Sequence, residues 1–279
     1  MFGWPAAGKE KGWVGIVAHD QRLDLAHVVR DAAARPQIRQ LDSFRVERGE
    51  ADALERLRVA RKLKSFRCTT VLGPGQYQLL QLEAPDVPAA ERREALRWRL
   101  KDMVEFAVDR ASIDVLDIPG GSQGGGRSAG IFVAAAGAEA VAARMRLFDG
   151  AKVPLQAIDL PELAQRNVAA LFEEPNRGLA FLALDEHGGL LTLTHQGELY
   201  AFRRIDISAT QLAEADPERQ RQLLERVALE LQRSLDTFDR QFSFVSVARL
   251  VVACTAAIDA LLPNPQIYRF ASMTMWSRM

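Results

Sequence analysis

The chain is 279 residues long, enough to bury a sizeable core either as one large domain or as two lobes. Its 48% apolar and 26% charged residues are ordinary globular composition and exclude a disordered class. Lys plus Arg and Asp plus Glu each number 36, so the chain lacks the basic excess that marks a nucleic-acid partner.

The opening "MFGWPAAGKEKG" has no apolar core of the length an export signal needs. No run approaches the ~20 apolar residues that span a bilayer. The chain is therefore read as soluble and cytoplasmic. "GWVGIVAHDQRLDLAHVV" (12–29) predicts a tight β-hairpin, with a further strand near 38–46. A helix is predicted over about 49–64, with Leu54, Leu57 and Leu63 on or near one face. "FRCTTVLGPG" reads as a strand stopped by Gly-Pro-Gly, and "QYQLLQLEAP" as a second strand ended by Pro85 and Pro88.

The next helix is predicted over about 88–107, with Leu96, Leu100, Met103, Val104 and Ala107 on its apolar face. Trp98 falls on the polar side, among Glu94, Lys101, Asp102 and Glu105. Two readings of it stand side by side: the ring covers the stems of Arg and Lys, or it meets another subdomain or a partner. The Arg-rich runs "ERREALRWRLK" and "RQRQLLERVALELQR" are balanced by nearby acids and read as solvated helix faces.

"SIDVLDIP" and "SAGIFVAAAG" are strands on either side of a glycine-dense stretch, followed by a helix over about 138–148. That stretch, "GGSQGGGRSAG", lacks a Gly-Lys-Ser/Thr ending and leads into a strand, so it is a hairpin connection and not a phosphate loop. Residues 76–150 thus form an inserted α+β unit. "VPLQAIDLPELAQRNVAALFEEPN" supplies a strand and a helix, and from Arg177 three successive strands open a second lobe. Gly197 in "HQGE" suits a hairpin position of positive φ.

The longest helix is predicted over about 217–242. Asp216 is its N-cap, Pro217 its first residue, and Leu224, Val227, Leu231, Leu235, Phe238 and Phe242 its buried stripe. "ARLVVACTAAIDALLPNPQIYRF" closes the chain as strand, helix and strand. Cys68 and Cys254 sit in apolar runs without metal or redox spacing and read as buried reduced thiols. His19, His27, His187 and His195 share no ligand spacing, and no Ser-His-acid set forms a triad. Asp20 and Asp24 could pair as catalytic carboxylates, but two acids in a polar turn are usually solvated and are read so here. No catalytic or metal-binding residue is assigned. Both lobes open with hairpins and pass into helices, as a duplicated two-lobed α/β fold would.

"YQLLQLEAPDVPAAERREALRWRLKDMVEFAVDRASIDVLDIP" (77–119) carries a resemblance. A strand ending near Pro leads to an acidic helix with an Arg-Trp pair, Arg97-Trp98. An aromatic segment with Phe106 and an Ile-Asp strand come next. With "ALDEHGGLLTLTHQGELYAFRRI" (183–205) and "LERVALELQRSLDTFDRQF" (224–242), this resembles the PilM-like branch of the actin-like ATPase superfamily. Within that branch it is most similar to the MshI-type biogenesis proteins of the mannose-sensitive haemagglutinin (MSHA) class of type IV pili.

The resemblance covers nearly the whole chain and implies a two-lobed actin-like (ribonuclease H-like) fold. The first lobe is 1–75 with 151–175, the inserted α+β subdomain 76–150, and the second lobe 176–279, its last part short relative to the family. It also implies a cytoplasmic scaffold, peripheral at the inner face of the inner membrane, within a pilus assembly platform. The implied partners are the cytoplasmic tail of a PilN-type single-span membrane protein and the pilus motor ATPase. Arg97, Trp98 and Phe106 are taken as candidates for the groove that holds the tail.

In the actin-like fold, ATP and Mg²⁺ are held by two phosphate hairpins and a Gly-rich adenosine turn, whose small residues let N–H groups approach phosphate oxygens. The first hairpin here offers Ala18, His19, Asp20, Gln21 and Arg22, which should crowd a phosphate. In the second, Asp185 with Gly188-Gly189 suits either a phosphate or an ordinary turn. The adenosine turn is replaced by Cys254-Thr255-Ala256-Ala257. Three elements are expected and at most one is retained, which predicts a pseudo-ATPase that requires no cofactor. The alternative is a nucleotide-binding ATPase whose closure regulates pilus assembly.

Overall fold

The computed structural model describes residues 12–19, 21–88, 90–120, 130–255 and 274–276. Strands β1 (Trp13–His19) and β2 (Arg22–Arg30) pair antiparallel with Ile16 opposite Leu25. The period of two turns Val14, Ile16, Leu23 and Leu25 onto the core. Strand β3 (Pro36–Arg45) extends the hairpin on the other side of β2.

Helix α1 (Glu50–Arg61) buries Ala53, Leu54 and Leu57. It stops earlier than the leucine spacing suggests, because Lys62 turns left-handed at φ 52 and hands Leu63 to a single 3-10 turn. Leu63 is still fully buried, so the apolar pattern marks the core correctly while the helix ends before it. Strand β4 (Arg67–Val71) joins β1 in parallel and carries Cys68 into the core, where burial pushes its thiol up to about 11. That thiol is inert.

Strand β5 (Tyr77–Glu83), helix α2 (Arg92–Leu100), strands β6 (Ser112–Asp117) and β7 (Gly130–Ala136) and helix α3 (Ala138–Gly150) follow. The three strands form their own sheet in the order β5-β7-β6. Strand β8 (Leu155–Asp159) then returns to pair in parallel with β4.

The remaining elements are helix α4 (Pro161–Ala169), strands β9 (Gly178–Leu184), β10 (Gly189–His195) and β11 (Glu198–Ile205), and helices α5 (Ala209–Glu214) and α6 (Pro217–Gln241). Strands β12 (Val247–Cys254) and β13 (Thr274–Trp276) complete the described chain. The α6 start is as the sequence predicts: the Asp216 carboxylate accepts from the N–H groups of Glu218 and Arg219, and Pro217 follows it. Cys254 is half-buried, less so than its apolar run suggests. The helix and closing strand expected between β12 and residue 270 lie outside the described residues, and β13 falls beyond the run in which that strand was expected.

Two five-stranded sheets share one plan. The first runs β3-β2-β1-β4-β8 and the second β11-β10-β9-β12-β13. In each, an antiparallel three-strand meander is continued by two parallel strands beside its first member. The duplicated order expected from the sequence is therefore present strand for strand. The chain divides into two compact units, one within Met1–Leu116 and Phe132–Pro161, the other within Asp117–Ile131 and Glu162–Met279. The core of the first centres on Leu54, Leu57, Cys68 and Phe148. In the second, β9 is buried along almost its whole length, as a strand covered on both faces must be.

Candidate functional site

Helix α2 is shorter than its apolar repeat suggests, ending at Leu100 where the pattern ran to Ala107. Leu96 and Leu100 are fully buried, but Met103 is 43% exposed and Phe106 is half-buried. The chain bends here because Arg97 holds it. Its guanidinium donates to the carbonyl of Val108 at 2.7 Å and also reaches Asp109 and Ala111. Arg99 donates to the Glu83 carbonyl at 2.8 Å, and Arg93 bonds Asp114 at 2.7 Å.

The arginines read as a solvated face are thus partly fastenings between α2 and its sheet. Trp98 stands outside this arrangement, 76% exposed on the opposite side of the helix. Phe106 lies beside Gly137, where a Cβ would sit 3.7 Å from its ring. A helix pinned in this way presents the indole on an ordered backbone, so an anchor here costs the ordering of its side chain but not of the helix.

Beside the turn of the β1–β2 hairpin, polar side chains of β1, β2 and β3 meet. The Asp24 carboxylate lies 3.0 Å from His19 Nε2 and 3.0 Å from Arg22 Nε, and Ser43 Oγ donates to it at 2.7 Å. The register explains the grouping: His19 pairs with Arg22, and Asp24 with Ser43 on β3. Asp24 is therefore no solvated turn acid, as the sequence suggested; it is the centre of a four-residue network. Asp20 lies outside the described residues.

Burial works to raise the Asp24 pKa, but hydrogen bonds from Ser43 and Arg22 and the charges of Arg22 and His19 carry it below its ordinary value. Its ionised form thus stabilises the fold above the unfolded-state pKa near ~4, and that contribution is lost as pH falls through the lower folded value. Asp24→Asn is expected to lower Tm at pH 7 and to flatten the acid limb of a Tm-against-pH curve recorded below pH ~4.

The second hairpin is closed on itself as well. Asp185 Oδ1 accepts from the N–H of His187 at 2.7 Å and of Gly188 at 3.1 Å, and its own N–H donates to the Gly188 carbonyl. These are the N–H groups that a phosphate would need. The glycines have a packing reason too. Gly188 has φ 150, and a Cβ on Gly189 would lie 3.0 Å from both Ile205 Cβ and Leu184 Cδ2. At the third position, Thr255 N–H donates to the Leu184 carbonyl, while Ala256 and Ala257 lie outside the described residues.

Sequence reasoning missed two polar groups inside the second unit. Gln165 on α4 places its amide nitrogen within 3.1 Å of the Phe181 and Leu190 carbonyls and of Thr192 Oγ1. Glu162, 1% exposed at the start of α4, pairs with Arg204 at 2.6 Å. An acid directly after the Pro that starts a helix was the available signal.

No protein-family model matches the chain. No curated protein matches it either. Among solved structures, it is similar to one described as the PilM-PilN type IV pilus biogenesis complex, with a TM-score of 0.69 and 20% identity over 96% of this chain and 89% of that one. It is also similar to a protein of actin-like ATPase fold and unknown function from Bacteroides thetaiotaomicron, with a TM-score of 0.50 and 6% identity over 95% and 91% of the two chains. Among the described residues no helix is long and apolar enough to cross a membrane. The duplicated five-stranded sheets and these likenesses make the architecture that of the actin-like ATPase fold.

Proposed function

We propose that the chain is a scaffold of a type IV pilus assembly platform, of the MshI type, that grips the cytoplasmic tail of a PilN-type membrane protein. The observation that carries this reading is the fold match to the PilM-PilN complex along nearly the whole chain. The exposed Trp98 on the pinned helix α2 is the anchor, Phe106 beyond the end of that helix is a second apolar contact, and main-chain hydrogen bonds complete the grip. On this reading the protein works at the inner face of the inner membrane through its partners, and the motor ATPase is a further one. A scaffold of this kind would work without a cofactor, a reading supported by the polar cluster of His19, Arg22 and Asp24 beside the first turn and by the Asp185 carboxylate on the N–H groups of the second.

The alternative is a nucleotide-driven ATPase. It draws on Asp185, Gly188 and Gly189, which keep the residue types of a phosphate hairpin. Purification of the tagged chain from its own cells, with identification of the membrane protein that accompanies it, tests the scaffold reading. A single-span inner-membrane protein with a short cytoplasmic tail is expected. Recovery of the chain with no such protein, in detergent that preserves membrane complexes, contradicts it.

A further inference from the structure

Helix α6 turns Leu223, Leu224, Val227, Ala228 and Leu231 inward. Arg226, Leu229, Glu230 and Arg233, spaced i, i+3, i+4 and i+7, form one strip on its outside. Together with the end of β11, the last strand in its sheet order, this strip lines a cleft of about 370 Å³ within the second unit.

The charge in the cleft is uneven, with Arg203, Arg204, Arg226 and Arg233 set against Asp206 and Glu230. Glu230 is shared by two guanidinium groups, Arg203 at 2.6 Å and Arg233 at 3.3 Å. Arg226 pairs with no carboxylate among the described residues. Between them lies Leu229, 45% exposed. Arg204 is accounted for by its pair with buried Glu162, and Arg203 suits an edge strand, where charged side chains discourage pairing with other strands. Neither accounts for a helix strip that sets an exposed leucine between two arginines, in a chain of zero formal net charge.

We propose that this cleft docks an acidic peptide segment of a partner protein. Carboxylates of the peptide pair with Arg226 and Arg233, and an apolar side chain covers Leu229. From Arg226 to Arg233 the strip runs about 10 Å along the helix axis, longer than a single phosphate and matched by about three residues of extended chain. The surface lies on α6 of the second unit, whereas Trp98 belongs to the first, so it adds a second binding activity and does not depend on the tail-binding reading.

The test is fluorescence anisotropy of the full chain with a fluorescein-labelled peptide of alternating Glu and Leu, and with its Lys-Leu counterpart. Saturable binding of the Glu-Leu peptide alone, weakening with added salt, is expected. The double variant Arg226→Glu, Arg233→Glu should weaken it by about tenfold or more. Arg226→Glu alone, which breaks no ion pair among the described residues, keeps the test valid if the double variant fails to fold. Trp98→Ala should bind this peptide as the unmodified chain does.

Equal binding of both peptides, or undiminished binding by a folded Arg226→Glu variant, overturns the proposal. So does Arg226-dependent sedimentation with phosphatidylglycerol vesicles without peptide binding, which would assign the patch to a lipid surface.

Discussion

Trp98→Ala is expected to weaken capture of a PilN-type tail peptide by about 2 kcal/mol or more, roughly 30-fold in Kd, while leaving Tm within a degree or two. The two halves of this expectation have separate causes. The helix stays in place through buried Leu96 and Leu100 and through the carbonyl contacts of Arg97 and Arg99, none of which involves the indole. Trp98 itself is 76% exposed, so its loss costs the free protein almost nothing. Trp is among the residues whose truncation most often removes a large share of binding energy. Titration of a labelled tail peptide, alongside a melting curve, separates the two effects. Unchanged affinity would remove Trp98 from the groove.

Phe238→Ala has the opposite profile, a large loss of stability from a residue that takes no part in the polar clusters of Asp24 and Asp185. Phe238 is 1% exposed and lies near the end of α6, its ring 6.2 Å from that of Tyr200 and 5.2 Å from that of Phe242. Tyr200 also meets Phe242 edge-on at 5.1 Å, so one truncation removes a member of a joined aromatic group. The expected cost is about 3–5 kcal/mol, equivalent to a fall in Tm of roughly 6–20 °C. Phe238→Leu, which keeps most of the volume, should recover much of that loss. A melting curve decides it; a fall of only a degree or two would mean that the α6 end is not a cooperative part of the core.

The shared order of hairpins and helices in the two lobes was legible, though the pairing of strands was not, because most strands announce themselves by alternation or by a short apolar run with a turn signal after it. The N-cap at Asp216 with Pro217 was readable for the same local reason. Helix ends set by distant groups were not. Leu63 and Met103 continue an apolar repeat, yet the backbone leaves the helix at Lys62 in one case and just past Leu100 in the other. In the second case the cause is a guanidinium reaching carbonyls 11 to 14 residues further along, which no periodicity records.

The hairpin tips show the same limit. Bulky residues at 18–22 could be read as crowding, but the Asp24 network depends on a register that brings Ser43 of β3 alongside. The grouping of Arg226 and Arg233 with exposed Leu229 on α6 was hidden too, because it joins residues seven apart and brings in Arg203 from β11.

On the proposed reading, an actin-like architecture serves as a docking platform whose hairpins do not grip a triphosphate. Calorimetric titration of ATP with Mg²⁺ into the full chain tests it most directly. No saturable heat up to about 1 mM nucleotide is expected, since a phosphate would have to displace the Asp185 carboxylate from the N–H groups of His187 and Gly188. A saturable isotherm with a micromolar Kd, abolished by Asp185→Ala, would contradict it.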